Sequence, residues 1–361
     1  MRKDTSALQP SQAEALTRTK PSFHAASALI LSAAMVGCGG SLGEADVAGA
    51  SLEEGQAESA LELRKGSGPP APTLACAPLC NGSCTPIDLA TINTNGAIEI
   101  ALTDQYVYYG GGYGSEVSDD EVGRVPKAGG AKTLLIDGLT YVTELVGSGP
   151  YAYFVGSDPG LRSNLNRVNP DGTITALPIT GGYPSGVAVD STHIYWIGNK
   201  QYDIYAQPLS GGTASLVVPH DPVLGGLRTS LFADGDSLYY RELGSLSSTM
   251  KAPKSGAAAP TKFARTSWYL DFDDANVYYA GSGVYRMPKS GGTAVQLATT
   301  GTRVVVDNER IYWLDGTALR AMCKDGTGAQ VLASTGERYN LAVDSTGVYW
   351  AGEGKIRKIA K

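Results

Sequence analysis

Four of the five cysteines are the residues whose type and spacing could support metal binding or disulfide formation. Cys76, Cys80 and Cys84 form a C-x3-C-x3-C cluster, and Cys323 lies far downstream. Cysteines so placed either bind a metal as thiolates or pair as disulfides. The spacing does not match the common zinc patterns and the chain has only three histidines. We therefore predict two disulfides and no metal site, with three pairings open.

Nothing else in the chain forms a recognisable catalytic arrangement. The G-x-S-x-G, H-E-x-x-H and P-loop motifs are absent from the sequence. His220 and Asp221 are a His–acid pair, but catalysis would need a third converging group. The sequence thus predicts no catalytic residue and no cofactor.

A repeated aromatic pair reveals the elements that would position any site. The seven pairs, 34 to 45 residues apart, are Tyr108-Tyr109, Tyr153-Phe154, Tyr195-Trp196, Tyr239-Tyr240, Tyr278-Tyr279, Tyr312-Trp313 and Tyr349-Trp350. A short apolar run and, in six copies, an acidic residue precede the pair. A Gly-containing turn such as Pro126-Lys-Ala-Gly-Gly130 follows it. Apolar runs of four to seven residues bounded by turn residues are typical of short antiparallel strands.

Each repeat of roughly 40 residues therefore reads as four strands, which is the pattern of a β-propeller blade. We predict an all-β, seven-bladed β-propeller over residues 86–361 with four-stranded antiparallel blades. The seventh repeat ends after three strands, so residues 86–93 should add its fourth strand and close the ring. Because Cys323 would then lie on the neighbouring blade, we favour a bond between it and the 76–85 cluster.

The acids and tyrosines of the repeats are interpreted as structural. Adjacent residues of a strand point to opposite faces, so each aromatic pair should pack against both neighbouring blades. Acids such as Asp190 and Asp344 should accept hydrogen bonds from backbone amides in the turn that follows them.

A binding site is expected where the inner strands begin, because the loops of variable length cluster on that face of the predicted propeller. Counting back from the repeated acids yields aromatic and arginine side chains at this channel mouth. Such side chains dominate binding hot spots. The predicted ligand-binding residues are Tyr141, Tyr183, Arg228, Trp268, Tyr269, Arg303, Arg338 and Tyr339. The alternative is that these side chains simply pack between blades.

The N-terminus carries export signals. Residues 1–20 include four basic residues, and an apolar segment of about 15 residues follows, too short to span a bilayer. It ends in Leu31-Ser-Ala-Ala-Met-Val-Gly-Cys38, which resembles the lipobox of bacterial lipoproteins. The resemblance implies that residues 1–37 are a signal peptide and that Cys38 becomes a palmitate-bearing N-terminus. A plain cleaved signal peptide is the alternative.

The resemblance also implies where the protein is located in the cell. Gly39 follows the cysteine in place of the aspartate that favours inner-membrane retention. The resemblance therefore implies anchoring to the outer membrane, on its periplasmic or cell-surface side. Residues 38–75 carry six acids and no aromatic residue, which predicts a flexible acidic tether.

Charge limits the partners. Residues 1–37 hold four basic and two acidic residues, so their removal takes the net charge from −6 to −8. An acidic protein lacks the basic face that nucleic acids require. We expect a monomer whose partners are the membrane, through Cys38, and a protein, peptide or glycan ligand.

The hairpin Val187-Ala-Val-Asp-Ser-Thr-His-Ile-Tyr-Trp196, with Pro288-Lys-Ser-Gly-Gly292 of a later repeat, resembles the YWTD, NHL and TolB-like propellers. Within that group the likeness is greatest to uncharacterised bacterial extracytoplasmic lipoproteins. The resemblance covers residues 86–361 and implies fold far more than function. A lyase acting on streptogramin antibiotics shares the seven-bladed form, but its catalytic His and metal ion have no matching residues here.

We therefore expect a surface-tethered, non-catalytic binding or interaction module. The alternative is an extracytoplasmic lyase-like or hydrolase-like enzyme working at the channel mouth. An enzyme needs convergent acids, a histidine or a metal, whereas a binder needs aromatics, arginine and shape. The scarcity of histidine favours the binder.

Overall fold

Strands account for nearly all regular structure in the part of the protein that the structure describes. The computed structural model describes residues 76–82, 84–92, 98–111, 120–157, 163–221, 226–244, 247–265, 269–334 and 340–361. Across these ranges the only helical element is the 3-10 turn Leu79–Gly82. No helix in this part of the chain is long and apolar enough to span a membrane. The predicted signal peptide and tether, residues 1–75, lie outside the described residues.

Twenty-eight strands form seven four-stranded antiparallel sheets. Blade 1 is β2 (Ile98–Leu102), β3 (Tyr106–Gly111), β4 (Asp120–Pro126) and β5 (Thr133–Leu139). Blade 2 is β6 (Tyr141–Ser148), β7 (Tyr151–Ser157), β8 (Ser163–Val168) and β9 (Ile174–Ala176). Blade 3 is β10 (Pro184–Val189), β11 (His193–Gly198), β12 (Ile204–Pro208) and β13 (Ser215–Val218). Blades 4 and 5 are β14 (Leu227–Asp234), β15 (Ser237–Leu243), β16 (Ser248–Pro253), β17 (Thr261–Arg265); and β18 (Tyr269–Phe272), β19 (Asn276–Ala280), β20 (Val284–Pro288), β21 (Val295–Ala298).

Blade 6 is β22 (Arg303–Val306), β23 (Arg310–Leu314), β24 (Ala318–Cys323) and β25 (Gln330–Ser334). Blade 7 is β26 (Asn340–Asp344), β27 (Gly347–Gly352), β28 (Lys355–Ala360) and β1 (Ile87–Thr91). Blades 1 to 6 are meanders of four consecutive strands, and the first strands of successive blades contact one another around the centre. The predicted all-β, seven-bladed propeller is confirmed.

Ring closure uses the predicted N-terminal segment. Strand β1 pairs antiparallel with β28, with Ile87 opposite Lys358 and Thr91 opposite Lys355. Its apolar side chain Leu89 is 7% exposed and joins the cluster that contains Ile356. The outer strand of the last blade therefore comes from the start of the propeller, as the three-strand seventh repeat predicts.

The aromatic pairs form the core between blades, as expected from strand alternation. Tyr108 packs in the cluster shared with blade 2, whereas Tyr109 packs in the cluster shared with blade 7. In blade 3, Tyr195 lies against blade 4 and Trp196 against blade 2. All four rings are at most 3% exposed. One dipeptide per repeat thus contributes to two apolar interfaces.

The repeated acids bond turn amides, as predicted. Asp190 Oδ1 accepts hydrogen bonds from the backbone N–H of Thr192 at 2.7 Å and of His193 at 2.8 Å. Asp273, Asp307 and Asp344 make the same pair of contacts in their own turns. These contacts hold the hairpin between the first two strands of a blade.

The same acids also join neighbouring blades, which the sequence did not reveal. Asp190 Oδ2 accepts a hydrogen bond from the Tyr195 hydroxyl at 2.9 Å and lies 2.6 Å from Lys254 Nζ of the next blade. Burial alone would raise the pKa of Asp190, but the ammonium and the turn amides together hold that pKa well below its usual range. Equivalent pairs cross four further interfaces: Lys289–Asp234, Lys324–Asp273, Lys361–Asp307 and Lys127–Asp344.

Candidate functional site

A cavity of about 520 Å³ lies at the hub of the propeller. First strands of blades 1 to 6 line it, and its charged side chains are Glu99, Glu144, Asp271 and Arg303. This volume falls within the range of small-molecule sites, roughly 300 to 1,000 Å³. The centre of the ring therefore offers a ligand-sized space whose lining carries charge.

Arg303, the first residue of β22, lies among groups from three other blades. Its Cζ lies 4.0 Å from the centroid of the Tyr269 ring, a cation–π contact. Its Nη2 lies 3.9 Å from Glu99 Oε2, which also accepts a hydrogen bond from Asn340 Nδ2. The Arg303 side chain is 16% exposed, and its buried Nη1 has no hydrogen-bond partner among the described residues. Blades 5, 6, 7 and 1 thus meet in one polar cluster that retains an unused donor.

Glu144 enters the channel from a β-bulge in blade 2. The pairing of β6 with β7 shifts between Thr143 and Leu145, and Glu144 has a left-handed backbone with φ of 53°. Burial, and then the negative charge of Glu99, raise the pKa of Glu144 to about 8. A hydrogen bond from the Val187 backbone N–H and the charge of Arg303 oppose that rise. At neutral pH this carboxyl group is therefore mostly protonated.

Asp271 is the second carboxyl group with a perturbed pKa in the channel. It accepts hydrogen bonds from the backbone N–H of Val306 at 2.7 Å and of Phe272 at 2.8 Å. Burial nevertheless raises the pKa of Asp271 to about 6, against these bonds and the charges of Lys324 and Arg303. Protein atoms surround Glu144 and Asp271 closely, yet both keep accessible surface on the channel. Water and small solutes can therefore reach both groups.

Ser230 marks a second bulge, in blade 4. The pairing of β14 with β15 shifts between Thr229 and Leu231, and Ser230 has φ of 51°. Ser230 also lines the cavity. Non-glycine residues in the left-handed region are uncommon, and such strain concentrates at functional sites. Among the described residues of the inner strands, only Glu144 and Ser230 have it.

Two of the eight predicted mouth residues line the cavity, namely Tyr269 and Arg303. Tyr141 and Tyr183 stand where β6 and β10 begin, at the predicted end of the channel but outside the cavity lining. Tyr183 is 47% exposed. The other candidates, Trp268, Arg338 and Tyr339, lie outside the described residues.

Arg228 requires a correction, because its side chain is 3% exposed and is not presented to a ligand. Its guanidinium donates hydrogen bonds to three backbone carbonyls, those of Tyr202, Val218 and Pro219. It also lies 4.8 Å from the centroid of the Tyr240 ring. Arg228 is the second residue of β14, opposite Glu242, and the bulge between Thr229 and Leu231 follows it. Arg228 instead fastens the connection between blades 3 and 4.

The cysteines pair as Cys76–Cys323 and Cys80–Cys84, with Cα–Cα distances of 5.6 and 5.0 Å. The first pair is the link to the cluster that the sequence favoured. Two hydrogen bonds hold His220 in place. Its backbone N–H donates to Asp203 Oδ1 at 2.8 Å, and its ring Nε2 lies 3.0 Å from the Gly226 carbonyl oxygen. Within the described ranges, no group of three or more His, Cys, Asp or Glu residues could hold a metal ion.

Sequence reasoning missed Glu99, Glu144, Asp271 and Ser230. A signal for the acids was present, because each acid interrupts an apolar strand: Ile98-Glu-Ile100, Val142-Thr-Glu-Leu145 and Leu270-Asp-Phe272. A charged residue inside an apolar β-run is seldom tolerated unless it is paired or faces a polar cavity. Ser230 had no such signal, since a serine fits either environment.

The fold and the hub cavity define the class, a seven-bladed β-propeller with a ligand-sized polar channel. No protein-family model matches the chain, and no curated protein matches its sequence. YCF48 bound to a D1 peptide matches with a TM-score of 0.56 and 14% identity over 81% of this chain and 99% of that chain. A streptogramin B lyase matches with a TM-score of 0.54 and 15% identity, over 76% of this chain and 97% of that chain. A gluconolactonase from Xanthomonas campestris matches with a TM-score of 0.43 and 16% identity, over 58% of this chain and 82% of that chain. At these identities the likeness shows the fold alone.

Proposed function

We propose that this protein is a tethered, non-catalytic binding module that takes its ligand in the central channel. The observation that carries the proposal is the cluster around Arg303. There, a guanidinium with a free buried donor lies over the Tyr269 ring and opens on a cavity of about 520 Å³. Arginine and tyrosine provide directional donors and a large contact area at little entropic cost.

The propeller likenesses are consistent with binding. YCF48 has the same general fold and is bound to a D1 peptide in its solved structure. A peptide or protein segment, or a glycan, would suit a mouth where Tyr183 and Leu227 are 47% and 50% exposed at the entrances of adjacent inner strands. We further propose a monomer, because one ring contains all the groups of the site.

Catalysis is the second candidate, and one observation favours it. Glu144 and Asp271 both reach the channel with raised pKa values, about 8 and about 6, and titratable groups poised near neutral pH are typical of general acids and bases. A streptogramin B lyase shares the fold. Both acids nonetheless accept backbone N–H bonds, which is a sufficient structural role at the open edge of an inner strand.

Binding is tested by screening the full-length chain, purified in detergent, against peptide and glycan arrays. A retained ligand should lose about tenfold or more in affinity in Arg303→Ala and in Tyr269→Ala. Lys262→Ala, an exposed charge on outer strand β17, is the matched control and should bind normally. A ligand that binds all three variants equally contradicts the channel site. Conversion of the ligand, seen by mass spectrometry and abolished in Glu144→Gln, would instead establish an enzyme.

We also propose that Cys38 carries lipid and anchors the protein to the outer membrane. The support is the lipobox-like segment that ends at Cys38, followed by Gly39 and the acidic tether. Labelled palmitate should enter the wild-type chain and be absent from Cys38→Ser, which should leave the membrane fraction. Label retained by Cys38→Ser would rule out this anchor.

A further inference from the structure

The charges of the channel do not balance. Among the described residues that line it, three side chains are carboxyl groups (Glu99, Glu144 and Asp271), and Arg303 is the one basic group. Arg303 lies nearest to Glu99, at 3.9 Å, and Glu99 also accepts a hydrogen bond from Asn340. The other two acids accept only backbone N–H bonds in the contacts that the structure shows. The deficit is therefore one of positive charge.

The backbone is shaped to bring acceptors into this space. Two bulges, in blades 2 and 4, add one residue each to an inner strand at positive φ, and the added residues are Glu144 and Ser230. A β-bulge redirects a side chain that regular pairing would place elsewhere. Blades 2 and 4 flank blade 3, so Glu144 and Ser230 line the channel on either side of β10.

An anionic ligand fits this lining poorly. Its charge would sit near the carboxylates of Glu99 and Asp271 and gain only one arginine, whose Nη2 already lies 3.9 Å from Glu99. A cation gains from the same arrangement, because an ammonium or guanidinium donates three to five hydrogen bonds to carboxylate, hydroxyl and carbonyl oxygens. Its presence would also favour ionisation of a carboxyl group that burial keeps protonated.

The surroundings suit an apolar stem behind that charge. Tyr269 lines the cavity together with apolar residues such as Leu231 and Phe232. At the entrances of β10 and β14, Tyr183 and Leu227 are exposed. Lysine and arginine side chains have this construction, with an aliphatic stem that packs on apolar surface and a charged end.

Resting on the proposed function, we infer that the channel receives a primary ammonium or guanidinium group on an apolar stem, held by Glu144 together with Asp271 and Ser230. The group comes either from a basic side chain of a peptide or from a free organic amine. The rim favours the peptide, because only a longer ligand would extend from the cavity to the exposed Tyr183 and Leu227 at its entrance.

Isothermal titration calorimetry on the full-length chain in detergent tests the inference. The probes are Nα-acetyl-lysine amide, its neutral isostere Nα-acetyl-norleucine amide, the anionic Nα-acetyl-glutamate amide, and cadaverine as a free amine. The lysine probe should bind about tenfold or more tightly than the norleucine and glutamate probes. Cadaverine binding as tightly as the lysine probe would identify a free amine as the source.

A pH dependence distinguishes the proposed contact from general attraction to an acidic protein. Glu144 faces Glu99 and Arg303 and has a pKa of about 8, whereas the lysine ammonium stays charged to about pH 10. The affinity of the lysine probe should therefore rise about tenfold between pH 7 and pH 9, as the ionised fraction of Glu144 grows. Glu144→Gln should lose this rise and weaken binding about tenfold at pH 9. Asp274→Asn, which removes an exposed acid in a turn of blade 5, should behave as wild type.

The outcomes separate the two proposals. A screened ligand that depends on Arg303, with no binding of the lysine probe at millimolar concentration, overturns the inference and leaves the binding module standing. Lysine-probe binding that Glu144→Gln does not change also overturns it. If no ligand of any charge depends on Arg303 or Glu144, both proposals are wrong.

Discussion

Glu144→Gln should make the protein more stable near neutral pH, because the change removes a carboxyl group that folding keeps from ionising. In the folded state, burial and the neighbouring charge of Glu99 raise the pKa of Glu144 to about 8. In an unfolded chain a glutamate has a pKa of about 4.3. Between these values the folded state binds more protons than the unfolded state. The free energy of unfolding therefore falls as pH rises through that window.

The magnitude follows from the width of the window. Each pKa unit corresponds to about 1.4 kcal/mol, so the roughly 2.7 units between the unfolded pKa and pH 7 set an upper bound of about 3.7 kcal/mol. Water reaches the side chain from the channel and screens its charge, so we expect on the order of 2 kcal/mol. Glutamine keeps an oxygen that can accept the Val187 N–H. It should therefore remove the unfavourable ionisation without leaving that donor unsatisfied.

Urea unfolding followed by tryptophan fluorescence measures the effect, since Trp196 and Trp350 are fully buried. Wild-type stability should fall from pH 5 to pH 8, whereas Glu144→Gln should show a shallower fall and match wild type near pH 4. Asp190 and Asp273 have lowered pKa values, so they are ionised in both states above about pH 5 and add no slope there. Asp274→Asn should follow wild type. Equal stability of Glu144→Gln and wild type at pH 7, or an unchanged slope, would refute the reasoning.

Three further perturbations probe how the ring is held together. In a thermal melt, Lys254→Met should destabilise the fold by about 1.5 kcal/mol or more, because it removes a charge-assisted contact between blades. The control Lys262→Met changes an exposed residue and should cost less than about 0.5 kcal/mol. Arg228→Met should cost about 2 kcal/mol or more in urea unfolding, since it leaves one buried and two part-buried carbonyls without their donor. Near-wild-type stability would show that water replaces the guanidinium. Cys323→Ser opens a link across 247 residues and Cys84→Ser one across 4. Chain entropy therefore predicts a stability loss about 3.6 kcal/mol greater for Cys323→Ser, and reductant should abolish the difference.

The stability and binding effects of Glu144 point in opposite directions, and this makes the variant informative. A substitution that raises stability while removing affinity for a cation cannot act by unfolding the site. Binding groups held in unfavourable surroundings commonly show this trade-off. The left-handed backbone at Glu144 and Ser230 fits the same pattern.

The repeat alone was enough to predict the propeller. The aromatic dipeptide recurs seven times and the turn acid and the glycine turn six times each, and each has a local physical reason to form its strand or turn. The missing fourth strand of the last repeat predicted that residues 86–93 would close the ring, and β1 does so. Period-2 alternation likewise placed Tyr195 and Trp196 on opposite interfaces.

The site depended on features that have no repeating pattern. A bulge adds one residue to a strand without changing its composition, so the register at Thr229 and Leu231 could not be counted from Asp234. The burial of Arg228 against the Val218 carbonyl of the neighbouring blade was equally hidden, because it depends on how two blades pack. The Lys254–Asp190 contact was also hidden, because the residues are 64 positions apart in the chain.

Local sequence determined the strands, the turns and the number of blades, because those depend on side-chain alternation and turn chemistry over a few residues. The position of each blade around the ring is a tertiary property, and it decided that Arg303 of blade 6 lies near Glu99 of blade 1 and that Glu144 of blade 2 feels the charge of both. Electrostatic interaction depends on distance through space and on burial. Neither quantity can be read from spacing along the chain, so only the tertiary structure shows which charged groups meet in the channel.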